Sequence, residues 1–421
     1  MFNNLTLNHW RQYENINISF HPHLTVLTGA NGAGKTTILN ILAQNLGWSS
    51  EFVSSYEKIK DEQPTHYNNS LNYTIEQLEE ILAVMKRSNN SIKIGEIKYA
   101  DGTISDIKVP QNVNATYNIL LDNKPTISGL YISSHRPTFP YKLLKAIPTT
   151  TIDRTTIFSK YYQFAHTFAF DEYRDRNELT STGLIKETLA SLATFGYGNQ
   201  AVEANAEMRK LFEGYEKILK QVLPPKLGFK QIQVTSPEVI LCTETGNFPI
   251  DAVSGGISSI IDITWQIFMY GETTENFVAV IDEPENHLHP ELQKNFLSNL
   301  IAAFPHVQFI VATHNPFMIS AVKDSNVYVL NYNEKHKVFS TLLDHVNRAG
   351  TSNAILREVL GIDSSIPFWA EQTLNSIIQE YSSKEFSQEN LDSLRQNLSE
   401  IGLADFIPDT ISQIAEVKSH D

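Results

Sequence analysis

The hydrophobic and polar positions alternate between short β-branched runs and longer segments with helical spacing, the order expected of an α/β fold. Leu5-Leu7 and Ile16-Phe20 predict two short strands, and Leu24-Thr25-Val26-Leu27 predicts a third that is buried on both faces. A glycine-rich turn follows, and Ile38, Leu39, Ile41 and Leu42 then mark the core face of a helix starting near Lys35. Past Trp48 the chain turns polar, with one helical pattern over 75–86. Between Ile92 and Val109 apolar residues alternate around Asp101-Gly102, which predicts a hairpin and a small antiparallel subsheet beside the main one. Gly129-Ile132 reads as another buried strand. Residues 151–227 have helical spacing, clearest from Ala201 to Leu223, where Ala204, Met208, Leu211, Phe212, Tyr215, Ile218, Leu219 and Val222 share a face and Pro224-Pro225 ends it. Strands return at 229–234, 239–242 and 247–250. Then come a helix (257–270), a strand (277–281), a helix (291–303) and a strand (307–312). After Tyr328-Val329-Leu330 the tail reads as mainly helical.

Chemistry gathers where these strands end. The third strand runs into Gly29-Ala30-Asn31-Gly32-Ala33-Gly34-Lys35-Thr36-Thr37, a G-x-x-x-x-G-K-T loop in its required strand–turn–helix setting. The backbone amides of Asn31, Gly32, Ala33 and Gly34, with Lys35, Thr36 and Thr37, make a phosphate cradle at a helix N-terminus. Lys35 reaches β- and γ-phosphates, and the Thr36 hydroxyl is a Mg²⁺ ligand. The strand Val278-Ile281 ends in Asp282 and Glu283, the first placed to hold Mg²⁺ and the second to polarise a water toward a γ-phosphate. Ser254-Gly255-Gly256 opens a helix and reads either as a further anion site or as a helix cap. His314 ends a strand and reads either as a donor to a γ-phosphate or as a structural histidine. Arg11, within His9-Trp10-Arg11-Gln12-Tyr13, belongs either to a platform for the nucleotide or to an ordinary strand corner. At the end of Gly129-Ile132, Ser134, His135 and Arg136 occupy a strand end of the kind where ligands bind in open α/β sheets.

Composition narrows the classes. The chain has 421 residues, enough for one large head with insertions or for two to three domains. Its net charge of −14 disfavours non-specific DNA binding through overall charge. Cys242 is the only cysteine, which excludes an intrachain disulfide framework and a Cys-rich zinc module. Met1 to Gln12 lacks the apolar core of a signal peptide, and Asp262 interrupts the longest apolar run, 257–270. A cytoplasmic protein is therefore expected.

Phosphate loop, Ser-Gly-Gly helix, Asp-Glu strand and strand-end histidine occur in the order found in ABC-type ATPases. The loop, the string Asp282-Glu283-Pro284-Glu285-Asn286-His287-Leu288-His289-Pro290 and Thr313-His314-Asn315-Pro316 resemble the AAA-type ABC ATPases of bacterial anti-phage defence systems and OLD nucleases. The resemblance covers roughly 1–50 and 128–345. It implies an ABC-type P-loop head, a mixed sheet with an antiparallel β-subdomain, spanning 1–345. Insertions fall at 50–127 (polar, with the hairpin) and 138–227 (helical), and a helical tail covers 346–421. It also implies two ATP and Mg²⁺ bound between two copies, with Lys35, Thr36, Asp282, Glu283 and His314 of one facing Ser254, Gly255 and Gly256 of the other. The tail has no Asp-x-Asp and lacks the strand–helix alternation of a Toprim nuclease domain. The chain thus resembles stand-alone members such as the ATPase subunits of the PARIS and Septu systems, which act with a separate effector. A Toprim-like or HNH nuclease is the expected effector, a phage protein or nucleic acid the expected trigger, and residues 355–360 and 369–381 a docking surface. A RecF- or Rad50-like DNA-repair ATPase clamp is the alternative. The acidic charge and the lack of a long coiled-coil pattern count against it.

Overall fold

The apolar runs join into one sheet. In the computed structural model, which describes residues 1–57, 66–68, 91–111, 114–136, 139–149, 153–168, 180–271, 276–343, 368–384, 387–408, 410–411 and 414, that sheet has 11 strands. Their order is Leu120–Asp122, Ile104–Pro110, Ser91–Tyr99, Phe2–Trp10, Tyr13–Ser19, Val338–Leu342, Asn326–Tyr332, Leu24–Gly29, Val307–Ala312, Phe277–Asp282, Gly129–Ile132. The last five run parallel. Their carboxyl ends therefore share one edge, which brings the phosphate loop, Asp282-Glu283, His314 and Ser133–Arg136 together. The strands Leu24–Gly29, Phe277–Asp282 and Val307–Ala312 are buried throughout, as their mainly apolar sequence favours. The α/β class and the mixed sheet read from the sequence describe this fold.

Two expectations are corrected. The hairpin Ser91–Tyr99/Ile104–Pro110 is not a separate subsheet, because Ser91–Tyr99 pairs antiparallel with Phe2–Trp10 and so continues the main sheet. Nor does the chain become helical directly after Leu330. Val338–Leu342 is a strand, antiparallel to Asn326–Tyr332 and parallel to Tyr13–Ser19, and it is the seam between the parallel and antiparallel halves. Only Val338 of that strand is fully buried, so its apolar signal is weak.

At the antiparallel crossing Gly95 lies against Thr6. A Cβ there would stand 1.9 Å from the Thr6 carbonyl oxygen. Gly95→Ala is expected to cost about 2–3 kcal/mol by overpacking; an unchanged unfolding midpoint would remove that reading of the crossing.

Helix Lys35–Ala43 packs on the parallel strands, with Ile38, Leu39, Ile41 and Leu42 buried as predicted. Helices Arg154–Phe168, Ser181–Tyr197, Ala206–Val222 and Gly255–Tyr270 pack on one another. Ala206–Val222 begins later than the periodicity suggests. Asn199 and Val202 close a turn first, and the Asn205 side chain then caps the helix by accepting from the Glu207 and Met208 amides at 3.0 and 3.1 Å. Ala204 is consequently exposed. The strands Phe229–Thr235, Glu238–Thr243 and Asn247–Pro249 form a separate three-stranded sheet ahead of Gly255–Tyr270.

Asn353–Asp421 is a second unit. It contains the helices Phe368–Ser382 and Gln388–Glu400 around Ala370, Tyr381, Leu394 and Leu398. The helical pattern at 75–86 and the segment 355–360 lie outside the described residues. No described helix is long and apolar enough to cross a membrane.

Candidate functional site

The phosphate loop is built by glycines that no other residue could replace cheaply. Gly29, Gly32 and Gly34 all have positive φ, and Gly34 is the left-handed N-cap of helix Lys35–Ala43. A Cβ on Gly34 would lie 2.2 Å from the Tyr13 hydroxyl, which itself donates to the Gly34 carbonyl at 2.7 Å. Tyr13 thus props the loop from the strand Tyr13–Ser19, which two other strands separate from Leu24–Gly29 in the sheet. The Lys35 ammonium folds back onto the loop and donates to the carbonyls of Gly29 and Ala30 at 2.9 and 3.1 Å. Burial pushes its pKa down, opposed by the carboxylates of Glu283, Asp282 and Glu285.

The second wall comes from the Asp-Glu strand. Thr36 donates its hydroxyl to Asp282 Oδ2 at 2.9 Å, so the two side chains read as metal ligands meet. Burial, with a smaller push from Glu283, raises Asp282 to about 6. Glu283 sits at φ 46°, a left-handed conformation costing on the order of 1–3 kcal/mol that the surroundings must hold in place. Its amide donates to the Ala312 carbonyl at 2.9 Å. Its Oε2 accepts from the Asn286 amide group at 3.1 Å, and its Oε1 lies 3.3 Å from His314 Nδ1. The pairing of His314 with Glu283 was not legible from spacing alone. Below them Glu285 is buried and accepts from the Thr313 hydroxyl, and burial raises its pKa.

Of the three residues at the neighbouring strand end, Arg136 takes the central place. Its guanidinium donates to the carbonyls of Glu283 at 2.9 Å, Ser133 at 3.1 Å and Asp282 at 3.3 Å, and to Ser259 Oγ at 3.2 Å. It joins the Asp-Glu turn to helix Gly255–Tyr270. The planar fork of arginine suits this set of diverging carbonyls, which the sequence could only locate to within three positions.

Ser254 precedes that helix and is exposed, and its side chain does not cap it. Gly255 and Gly256 lie against the Asn286–Leu288 turn: a Cβ on Gly256 would stand 3.0 Å from the His287 carbonyl oxygen. Arg11 lies at the corner between strands Phe2–Trp10 and Tyr13–Ser19. It donates to the Val53 carbonyl at 2.6 Å and lies over the Trp10 and Phe52 rings. His289 accepts from the Glu291 amide at 3.3 Å and caps helix Pro290–Ala303. Among the described residues no group of three or more His, Cys, Asp and Glu side chains is arranged to hold a metal. The oxygen pair Thr36–Asp282, with hard donors, fits one Mg²⁺ completed by phosphate and water.

Known proteins extend this picture. The chain is 35% identical over 97 residues to Septu protein PtuA of Bacillus mycoides (strain KBAB4), a match covering 22% of this chain and 14% of that protein. It is 29% identical over 111 residues to the Retron Ec83 probable ATPase of Escherichia coli, covering 26% and 19%. These matches span less than a fifth of either relative's length. The SMC head domain from Thermotoga maritima superposes with a TM-score of 0.41 and 12% identity, covering 82% of this chain and 99% of that one. The Septu and retron relatives agree with the resemblance read from the loop and the Asp-Glu string. Residues 4–223, more than half of the chain, match the family described as AAA domain, and the chain belongs to that family.

Proposed function

We propose that this protein is a self-associating, Mg²⁺-dependent ATPase of a bacterial anti-phage defence system. Two copies would share two ATP, and the ATPase would govern a separately encoded effector, such as a Toprim-like or HNH nuclease, in the cytoplasm in response to a phage protein or nucleic acid. One observation carries the hydrolytic half of the reading: beside the phosphate loop Thr36 meets Asp282, and the next residue, Glu283, meets Asn286 and His314. The names of the Septu and retron relatives support the defence half.

Each group has a task in this reading. The amides of residues 31–37 and the released Lys35 ammonium bind the β- and γ-phosphates. Thr36 and Asp282 would hold Mg²⁺, whose charge offsets that of the β- and γ-oxygens. Glu283 orients the attacking water, and Asn286 and His314 fix its carboxylate. His314 also faces the charge that develops on the γ-phosphoryl group. Ser254, exposed and not spent on capping its own helix, is free to meet the phosphates of a second copy. Arg11 would serve by bracing the strand corner beside the loop.

Ser254→Arg tests the shared pocket. The variant is expected to bind ATP as the parent does and to lose ATP-dependent self-association, read by light scattering with and without ATP. A variant that still pairs and hydrolyses normally would show that the pocket is complete within one chain.

A further inference from the structure

Lys186 is among the most deeply buried side chains, 1% exposed, yet it carries a charge. An ammonium in a protein interior is tolerated only when its protons are met. Here all three are: the Lys186 amine donates to Glu238 Oε2 at 2.6 Å, to the Lys142 carbonyl at 2.6 Å and to Asp251 Oδ2 at 2.8 Å. The three acceptors come from different parts of the chain. Lys142 belongs to segment 139–149, Glu238 to the middle strand of the three-stranded sheet, and Asp251 to the link between that sheet and helix Gly255–Tyr270. The Lys142 amide also donates to Asp251 Oδ2 at 2.9 Å, and the Tyr141 hydroxyl donates to Glu238 Oε1 at 2.8 Å.

Two carboxylates against one ammonium leave a surplus negative charge, and Asp251 Oδ1 has no hydrogen-bond partner. Stability alone is a weak reason for such a cluster, because apolar packing of the same volume often serves as well. Its position supplies a stronger one. Asp251 lies just before Ser254; Ala252 and Val253 between them carry no polar side chain, and Ser254 does not cap its helix. Asp251 is therefore the nearest polar side-chain anchor upstream of the Ser254-Gly255-Gly256 turn. None of these cluster contacts involves a residue of the phosphate loop or the Asp-Glu turn.

We propose that Lys186 is a positioning residue: through its ion cluster with Asp251 and Glu238 it sets the place of the Ser254-Gly255-Gly256 turn, and so acts on the ATP held by the other copy. The inference rests on the shared pocket proposed above. It also makes helix Ser181–Tyr197 and segment 139–149 the elements whose displacement would move that turn.

Complementation in mixed pairs tests it. Lys186→Met and the milder Asp251→Asn are expected to bind ATP with unchanged Kd and to lose turnover at saturating ATP by about 100-fold, the cost of an ångström-scale misplacement. Lys35→Ala lacks the other half of the pocket. Mixing it in equal amounts with either variant gives pairs of which half are mixed, each with one intact pocket, so about a quarter of wild-type activity should return. Ser254→Arg mixed with Lys35→Ala is the reference: in the mixed pair the arginine faces only the loop that lacks Lys35, so the intact pocket can still close on ATP and hold the pair. Recovery there but not with Lys186→Met or Asp251→Asn would overturn the positioning role and leave the shared pocket standing. Wild-type turnover by Lys186→Met or Asp251→Asn alone would do the same. No recovery in the reference mixture would overturn the shared pocket and this inference together. If Lys186→Met does not fold, Asp251→Asn alone carries the test.

Discussion

Glu283→Gln is expected to bind ATP at the parent's affinity and to hydrolyse it about 10²- to 10⁴-fold more slowly, the range for loss of a positioned general base. The substitution keeps the shape of the side chain. An amide oxygen can still accept the Asn286 bond now made at 3.1 Å, and the turn is held from the backbone by Ala312 and Arg136. What disappears is the negative charge that faces His314 at 3.3 Å and that, in the proposed reading, orients the attacking water. Because binding survives while turnover does not, the paired state should accumulate. Gel filtration with ATP is expected to give a stable dimer of the variant where the parent gives a transient one. Single-turnover hydrolysis reads the rate directly. A variant with the parent's rate would show that Glu283 is not the base, and the left-handed strain at this residue would then need another explanation.

The parts of this site that could be read in the sequence are those where one short stretch fixes its own geometry. A mainly apolar strand, glycines that must take positive φ and a lysine opening a helix leave the loop at 29–37 little alternative. The same holds for Asp282-Glu283 at the end of a strand buried throughout. Tertiary choices were not legible. Arg136 was one of three polar residues at a strand end, and only the diverging carbonyls of Ser133, Asp282 and Glu283 single it out. Tyr13 reads as a core aromatic, and its use as a prop depends on the sheet order, which brings its hydroxyl to Gly34 from a strand not adjacent to Leu24–Gly29. Lys186 sits in a segment read only as helical, and its partners are 44, 52 and 65 residues away. Val338–Leu342 escaped notice because a strand joining two half-sheets through backbone pairing needs little apolar signal of its own.

Asp282→Asn is expected to abolish Mg²⁺-dependent hydrolysis and, in the same protein, to raise stability. Burial lifts this carboxyl to about 6 from 3.8. A carboxyl raised on folding contributes stability that is fully present below the unfolded value and is lost as pH rises through the folded one. At pH 7.5 the ionised Asp282 therefore works against the fold, by about 3 kcal/mol from a shift of roughly two units. Asparagine is never ionised and can still accept the Thr36 hydroxyl, so most of that cost should vanish. In buffer free of Mg²⁺, thermal unfolding of the variant should come at a higher temperature than that of the parent at pH 7.5. The gap should narrow as pH falls through 6 toward 4, where the parent takes up its own proton. A variant less stable than the parent at pH 7.5 would mean that attraction to Lys35 and Arg136 outweighs desolvation. The expected sign follows from what the site must do. A carboxylate that is to hold a divalent cation beside a triphosphate has to be charged before the cation arrives, so the empty fold bears a cost that the loaded one does not. Pairing in the presence of ATP and Mg²⁺ would then draw part of its strength from relief at Asp282, and should weaken below pH 6 in the parent as protons compete for the same oxygens.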